Sequence, residues 1–486
     1  MIRPVRLPRS VWLLVPGAAA GALYLATLAP SLLWGDSAGF QLRAYRGELH
    51  SGTLGHPLWV LLAHRFVRWL PGADPAWKAN LLSAAAGALA VLFVAVIIYQ
   101  ISGSLSGAVL GAGVLAISHT FWLHAVIAEV YTLHLCFVAA AAWLIGLEGR
   151  ASGRWTDLLA WLLLGLSVSV HLLTLPLLPA FLYFTFARRR AGRIAASLVA
   201  GMLGLLPFIY WELTAPSKRE LGNSLAILTA PLSPAFWTAS PRYLGLGLAY
   251  GGYQFLLSAP VGLWGLRVMW RWHRRWAWFW LLWLLGSLGF AFTHRVPDQF
   301  VFYLPAWLAF AVCCGVGYGD LLGRMWAARR WQPLLLAALI AWGAPVVAYR
   351  LAAEAVPRAG SGLPLRPIPY RDAARFFFWP PKGGEAGARQ YVDQVFSALP
   401  PGSLLVADWT LYAPLVYAQE VEGRRPDVEL LGDPFVPGPD YLLGQPPARA
   451  LYLADANRYY PLAALEQGFE LRQEGVLYAL KRAGSP

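Results

Sequence analysis

The sequence predicts a polytopic α-helical membrane protein with a small C-terminal α/β domain, on three observations. Of the 486 residues 58% are hydrophobic and 13% charged, and several apolar runs reach the roughly 20 residues that a helix needs to span hydrocarbon. Arginines gather in short clusters between those runs, as they do in cytoplasmic loops. From about Ala352 prolines, glycines and charges rise, and short β-like runs replace the long apolar ones. The net charge of +14 would suggest nucleic acid for a soluble chain. Here the clusters account for it as topology, and no nucleic-acid partner is expected.

Met1 to Ser10, with Arg3, Arg6 and Arg9, resembles a signal n-region, but the run after it is long and reads as a retained first helix, Val11 to about Ala29. Residues 31–76 then form an outside loop whose stretches Asp36 to Tyr45 and His56 to Leu70 are amphipathic enough to lie along the interface. Helices two, three and four follow at Trp77 to Tyr99, Ser104 to Ile117 and Glu129 to Leu147, with His119 to His124 as a polar-aromatic turn outside. Leu158 to Phe186 reads as a hairpin of two short helices turning near His171. That keeps Arg150, Arg154 and the cluster Arg188, Arg189, Arg190 and Arg193 on one side.

Helices seven to eleven are expected at Ile194 to Trp211, Tyr243 to Val268, Trp276 to Phe292, Phe300 to Tyr318 and Pro333 to Leu351, with an outside loop from Glu212 to Arg242. Eleven segments place the N-terminus in the cytoplasm and the C-terminal domain outside. The division falls between a membrane domain, 1–351, and a linker with an extracytoplasmic α/β domain, 352–486. Gly360 to Pro369 reads as linker; Ser403 to Ala407, Asp427 to Leu431 and Ala450 to Leu453 read as buried strands, and Thr410 to Val421 as a helix. Cys136, Cys313 and Cys314 all fall in apolar runs, which leaves no disulfide framework or thiolate metal site. There is no Walker loop, dinucleotide fingerprint or internal repeat.

Chemistry centres on Trp34-Gly35-Asp36-Ser37-Ala38-Gly39-Phe40, an acid where the first helix empties onto the membrane surface. Acids near hydrocarbon are costly and mark function; equally, Gly-Asp-Ser is good capping chemistry. Partners for Asp36 as a base are sought among polar groups at helix ends on the same face. His56 precedes Pro57 and could only close a turn. Asn80 and Ser83, a helical turn apart, could contact substrate or simply bond between helices. Glu129 is the only acid between Asp74 and Glu148, though a helix N-terminus also favours an acid there. His124 is a further candidate, whereas His134 and His171 could lie deeper, and His171 reads as structural. His294 and Arg295 beside Asp298 make a phosphate clamp, unless Arg295 only snorkels. Close metal-ligand spacing is lacking apart from Glu129 with His134, so a divalent ion, Mg or Mn, is weakly indicated.

In their order along the chain these residues resemble a known family. Gly35-Asp36-Ser37, His56-Pro57-Leu58, Asn80-Leu81-Leu82-Ser83, Glu129-Val130-Tyr131-Thr132-Leu133-His134 and Pro297-Asp298-Gln299-Phe300 together are similar to a bacterial membrane family of unknown function within the glycosyltransferase-C superfamily. That family is related to an animal transmembrane protein O-mannosyltransferase. The likeness extends to Tyr417 to Val428. One departure is Gly39, where the family often has Glu.

The resemblance implies a glycosyltransferase-C-like fold and an inverting transferase. It would move a sugar, mannose or another hexose, from a polyprenyl-phosphate donor to a hydroxyl of a protein or glycan outside the cell membrane. Asp36 would serve as general base beside Glu129, His294, Arg295 and His56 would bind the donor phosphate, and Asn80, His124 and Asp298 the substrate. A non-catalytic transporter or flippase of lipid-linked glycans is the alternative, and expects repeated halves with broken helices.

Overall fold

The computed structural model describes residues 11–49, 55–147, 153–187, 191–214, 241–294, 296, 298–326, 332–358, 366–432, 438–457 and 459–483. The N-terminal tail, most of the loop from 212 to 242, most of the linker and Arg295 lie outside them.

The first apolar run forms α1 (Val15–Thr27) after a 3-10 turn, and both interfacial stretches are helical, as α2 (Gly35–Arg46) and α3 (Pro57–Trp69). Next come α4 (Pro75–Ser102), α5 (Leu105–Ile117), α6 (His119–Ala125) and α7 (Tyr131–Ile145). The segment expected as an outside turn is therefore a helix, and every residue of it is buried. It bends 70° from α5 at Ser118, whose hydroxyl bonds back to the Leu115 carbonyl at 2.8 Å. The hairpin consists of α8 (Gly153–Val170), a 3-10 turn (Leu172–Leu177) and α9 (Leu178–Phe186). It breaks at His171, where Pro176 and Pro179 prevent one continuous helix.

Helix seven is split in the same way into α10 (Ala191–Gly204) and α11 (Leu206–Leu213), bent by 43° where Pro207 enters. Helix eight is likewise two, α12 (Pro241–Phe255) and α13 (Ala259–Trp272), parted by a 3-10 turn ahead of Pro260. Two more follow, α14 (Arg274–Thr293) and α15 (Leu304–Trp326). Helix eleven is α16 (Gln332–Ala338) and α17 (Ala344–Arg358), joined by a π turn. Among the described residues four helices are long and apolar enough to cross a membrane, and up to six if each bent pair is one span. Several other apolar runs are too short because proline or serine breaks them.

α15 is the central member. On one side Gly107 and Gly111 of α5 meet Gly315: an added Cβ at Gly111 would stand 2.4 Å from the Gly315 Cα. On another, a Cβ at Gly265 of α13 would stand 1.8 Å from the Cys313 carbonyl oxygen. Small residues let membrane helices approach backbone to backbone, where dispersion replaces the missing hydrophobic drive.

The C-terminal part contains α18 (Ala373–Phe378), α19 (Gly387–Ala398), β1 (Leu404–Ala407), α20 (Trp409–Glu422), β2 (Glu429–Gly432), α21 (Pro439–Leu443), β3 (Leu451–Leu453), α22 (Leu462–Leu465), β4 (Phe469–Glu474) and β5 (Leu477–Arg482). The sheet order is β2-β1-β3-β5-β4. The three strands anticipated pair in parallel around the fully buried β1, as a continuous apolar run favours. The antiparallel β4–β5 hairpin was not anticipated, because β4 is an edge strand on which only Phe469 is buried. The core of this part is shared with the segment between α1 and α4: Leu32, Trp34 and Leu42 pack in one cluster with Tyr391, Leu411 and Tyr417.

Candidate active site

α2 begins on Gly35, whose φ of +53° suits only glycine without strain. That turn places Asp36 in the first helical turn, while Trp34 holds the cap position without a side-chain bond. Asp36 is exposed and does not cap. Its Oδ1 accepts the indole Nε1–H of Trp409 at 2.6 Å.

Trp409 opens α20, so α2 and α20 lie side by side and run in the same direction. At their far ends Arg46 clamps Glu420, with Nε donating to Oε2 at 2.6 Å and Nη2 to Oε1. Two helix N-termini thus converge on Asp36, and their dipoles favour a negative charge there.

Glu129 sits buried in the bend between α6 and α7. Ser83 of α4 grips its peptide, donating to the Glu129 carbonyl and accepting the Glu129 N–H, both at 3.1 Å. Trp59 Nε1 also donates to that carbonyl, at 3.2 Å. Burial first, and then the charges of Asp36 and Asp298, push the Glu129 carboxyl well above the usual range. Asp298 is raised in turn, by burial and then by Asp36. The three acids therefore share one region, in which the charge of Asp36 disfavours ionisation of both Glu129 and Asp298.

Asn80 is fully buried and its amide is fully used. Nδ2 donates to the carbonyls of Ala29 (3.0 Å) and Ser31 (3.2 Å), and Oδ1 accepts from Gln41 at 2.9 Å. It pins the loop ahead of Asp36. His56 Nδ1 donates to the Val170 carbonyl at 2.7 Å, and the ring stacks on His171 at 5.3 Å. Burial, then Arg43, lowers it to about 4, so it is neutral at neutral pH and offers a hydrogen-bonding nitrogen rather than a charge.

His171 also lies against Tyr131 and His134, and His294 meets Phe302 edge-on at 4.5 Å. His124 Nδ1 donates to the Thr120 carbonyl at 2.7 Å, and its ring stands edge-on to Tyr131. Among the described residues no group of His, Cys, Asp and Glu could hold a metal ion.

Sequence reasoning missed Trp409, Gln41 and Arg43. Arg43 lies seven residues after Asp36, two turns along the same helix, and that spacing was legible. It is a buried cation, lowered to about 10 by burial. Trp409 carried no signal, since 373 residues separate it from Asp36. A separate polar cleft of about 430 Å³, lined by Thr27, Tyr370, Arg375, Lys382 and Glu385 among others, opens where α1 meets the C-terminal part.

Residues 49–193 match the family described as the Protein O-mannosyl-transferase TMEM260 N-terminal domain. A curated relative, Protein O-mannosyl-transferase TMEM260 of Mus musculus, is 29% identical over 213 residues, 42% of this chain. The chain spans only 30% of that relative's length. Among solved structures, ArnT from Cupriavidus metallidurans in the apo state superimposes with a TM-score of 0.60 at 13% identity, covering 97% of this chain and 98% of that one. The same protein bound to undecaprenyl phosphate gives 0.57 at 15%, covering 98% and 99%. Both likenesses concern the fold.

Proposed function

We propose that the chain is a membrane glycosyltransferase of the glycosyltransferase-C fold, related to the TMEM260 O-mannosyl-transferases, and that it transfers a hexose, mannose or another, from a polyprenyl-phosphate donor to an acceptor hydroxyl. The undecaprenyl phosphate bound by ArnT supports a lipid-phosphate donor, and the mouse relative's name supports a protein Ser or Thr as acceptor. In this reading eleven segments cross the membrane, the N-terminus is cytoplasmic and the site faces outward. The observation that carries it is Asp36: an exposed carboxylate with one oxygen held by Trp409, which leaves the other for substrate.

That second oxygen takes the proton of the acceptor hydroxyl as the acceptor oxygen bonds to the anomeric carbon. The bond from that carbon to the phosphate oxygen breaks, and the lipid phosphate leaves with the electron pair, inverting the centre. A cation near the departing phosphate stabilises the charge it gains; Arg295 is assigned that part, with the His294 imidazole, lowered by burial, beside it as a hydrogen-bonding group. Asn80 and Gln41 fix the loop that presents Asp36. Glu129 is the second acid of the site, its carboxyl raised by burial and by the charge of Asp36.

The test uses purified protein with radiolabelled polyprenyl-phosphate hexoses and membrane extract. Asp36→Asn keeps the shape and removes the proton acceptor, so transfer should fall about 10²- to 10⁴-fold with donor binding intact. Full turnover by the Asn variant refutes the assignment.

A further inference from the structure

Gly39 lies one helical turn beyond Asp36 on α2. A Cβ there would stand 2.6 Å from Cζ2 of Trp409 and 3.1 Å from Cη2. The benzene half of the indole thus occupies the place that a side chain at 39 would take, while its N–H reaches Asp36 Oδ1 at 2.6 Å. Ring and glycine are complementary: only a residue without Cβ admits the indole, and only an indole both fills that space and donates to the carboxylate.

The base of Trp409 is held as firmly as its tip. Asp408, the N-cap of α20, accepts the Thr410 N–H at 3.1 Å and receives both Nη atoms of Arg366, at 2.6 and 2.7 Å. At the opposite end of the helix pair Arg46 and Glu420 join α2 to α20.

We infer that Trp409 is a positioning residue for the transfer reaction, so that the C-terminal domain supplies part of the active site across its interface with α2. The inference rests on Asp36 being the base. A single donor on Oδ1 restrains the rotation of the carboxylate and leaves Oδ2 for the acceptor proton. Without it the carboxylate turns freely at an exposed helix end, and fewer encounters are productive.

The experiment measures turnover and donor KM with undecaprenyl-phosphate-linked radiolabelled mannose and glucose, together with thermal unfolding midpoints. The set is wild type, Asp36→Asn, Trp409→Phe, Gly39→Ala, Trp409→Leu and the double variant Trp409→Leu with Gly39→Ala. Trp409→Phe keeps an aromatic ring and loses the donor. Its turnover should fall about 10-fold or more, with donor KM and midpoint unchanged. Gly39→Ala should fall similarly, because the methyl displaces the indole. In the Trp409→Leu background the same methyl should cost nothing further, since non-additivity is the signature of residues acting through one contact.

Wild-type turnover in Trp409→Phe overturns the inference. So does a rise, which would mean that the indole shields Asp36, and so does an equal loss in midpoint, which would mean that it only packs. An active Asp36→Asn would instead refute the base assignment, so the two failures are distinguishable.

Discussion

Replacing Arg366 by Ala should open the start of α20. The guanidinium binds Asp408 through two bonds, 2.6 and 2.7 Å, and Asp455 through a third at 3.0 Å. Asp408 is 6% exposed. Removing one partner of a buried ion pair costs about 3–5 kcal/mol, because the remaining charge is left without compensation. The lower end applies here. Asp408 keeps the Tyr460 hydroxyl at 3.1 Å and the Thr410 N–H, and Asp455 is only partly covered, at 26% side-chain exposure. About 3 kcal/mol corresponds to an opening constant raised about 100-fold.

Hydrogen exchange of the α20 amides in detergent measures that opening. The pH dependence carries a sign. Burial alone would raise Asp408, but the Arg366 bonds outweigh it and hold the carboxyl below its usual value. The stabilisation is therefore complete above the ordinary Asp pKa, about 3.9, and is lost as pH falls through the lowered folded value. The gap between wild type and Arg366→Ala should be full at neutral pH and should close in acid. Exchange changed by less than about threefold at neutral pH, or a gap that persists in acid, would refute the assignment of that energy to the ion pair.

Glu129→Gln should leave transfer within a few-fold of wild type, since Asp36 is the proposed base; a loss of about 10²-fold or more would move the base to Glu129. Burial raises the Glu129 carboxyl, and a raised acid is destabilising as pH rises above its unfolded value, about 4.3, so the variant's melting midpoint should gain on wild type from there upward. Lys382, lowered to about 7 chiefly by burial, makes the opposite comparison: protonation inside the fold is costly, so wild-type stability should rise relative to Lys382→Met between about pH 7 and 10. Gly111→Leu should lower the midpoint and the yield of folded protein by overpacking, a cost of about 1–3 kcal/mol or more, read by size-exclusion and thermal scans. Cysteine labelling at Ser10 and Ser361 should report opposite sides of the membrane; same-side labelling would refute the eleven-segment arrangement. Cys136, Cys313 and Cys314 are buried and should not interfere.

Hydropathy located the apolar runs because burial or lipid is their only stable environment, and it found the break at His171 from the arginine clusters alone. It did not show where runs would fold back. Pro207 and Pro260 were visible as breakers, yet inside an apolar run they compete with a hydropathy signal that ignores backbone geometry. Asp36 was legible because an acid near hydrocarbon needs a reason. Asn80 and Ser83 were legible as polar groups, but whether they face substrate or backbone depends on partners such as Ala29 and Glu129, and only the fold brings those near. The absence of a family-like side chain at position 39 reads as a loss in the sequence; the occupant of that space comes from the other end of the chain.

The close approach of α15 to α5 and α13 divides the molecule into parts that can and cannot yield. Where Gly111 meets the Gly315 Cα and Gly265 meets the Cys313 carbonyl, no side chains lie between to change rotamer and absorb a tilt. α15 is thus a rigid strut gripped on two sides, and the short turn bearing Asp298 sits at its end, with Gln299 tied to the Ala291 carbonyl at 2.7 Å. Compliance is left to the joints themselves, the breaks between α5 and α6 and between α10 and α11, where the helix axes bend by 70° and 43°. Motion within the bundle would turn about those joints, with Asp298 held still at the strut's end.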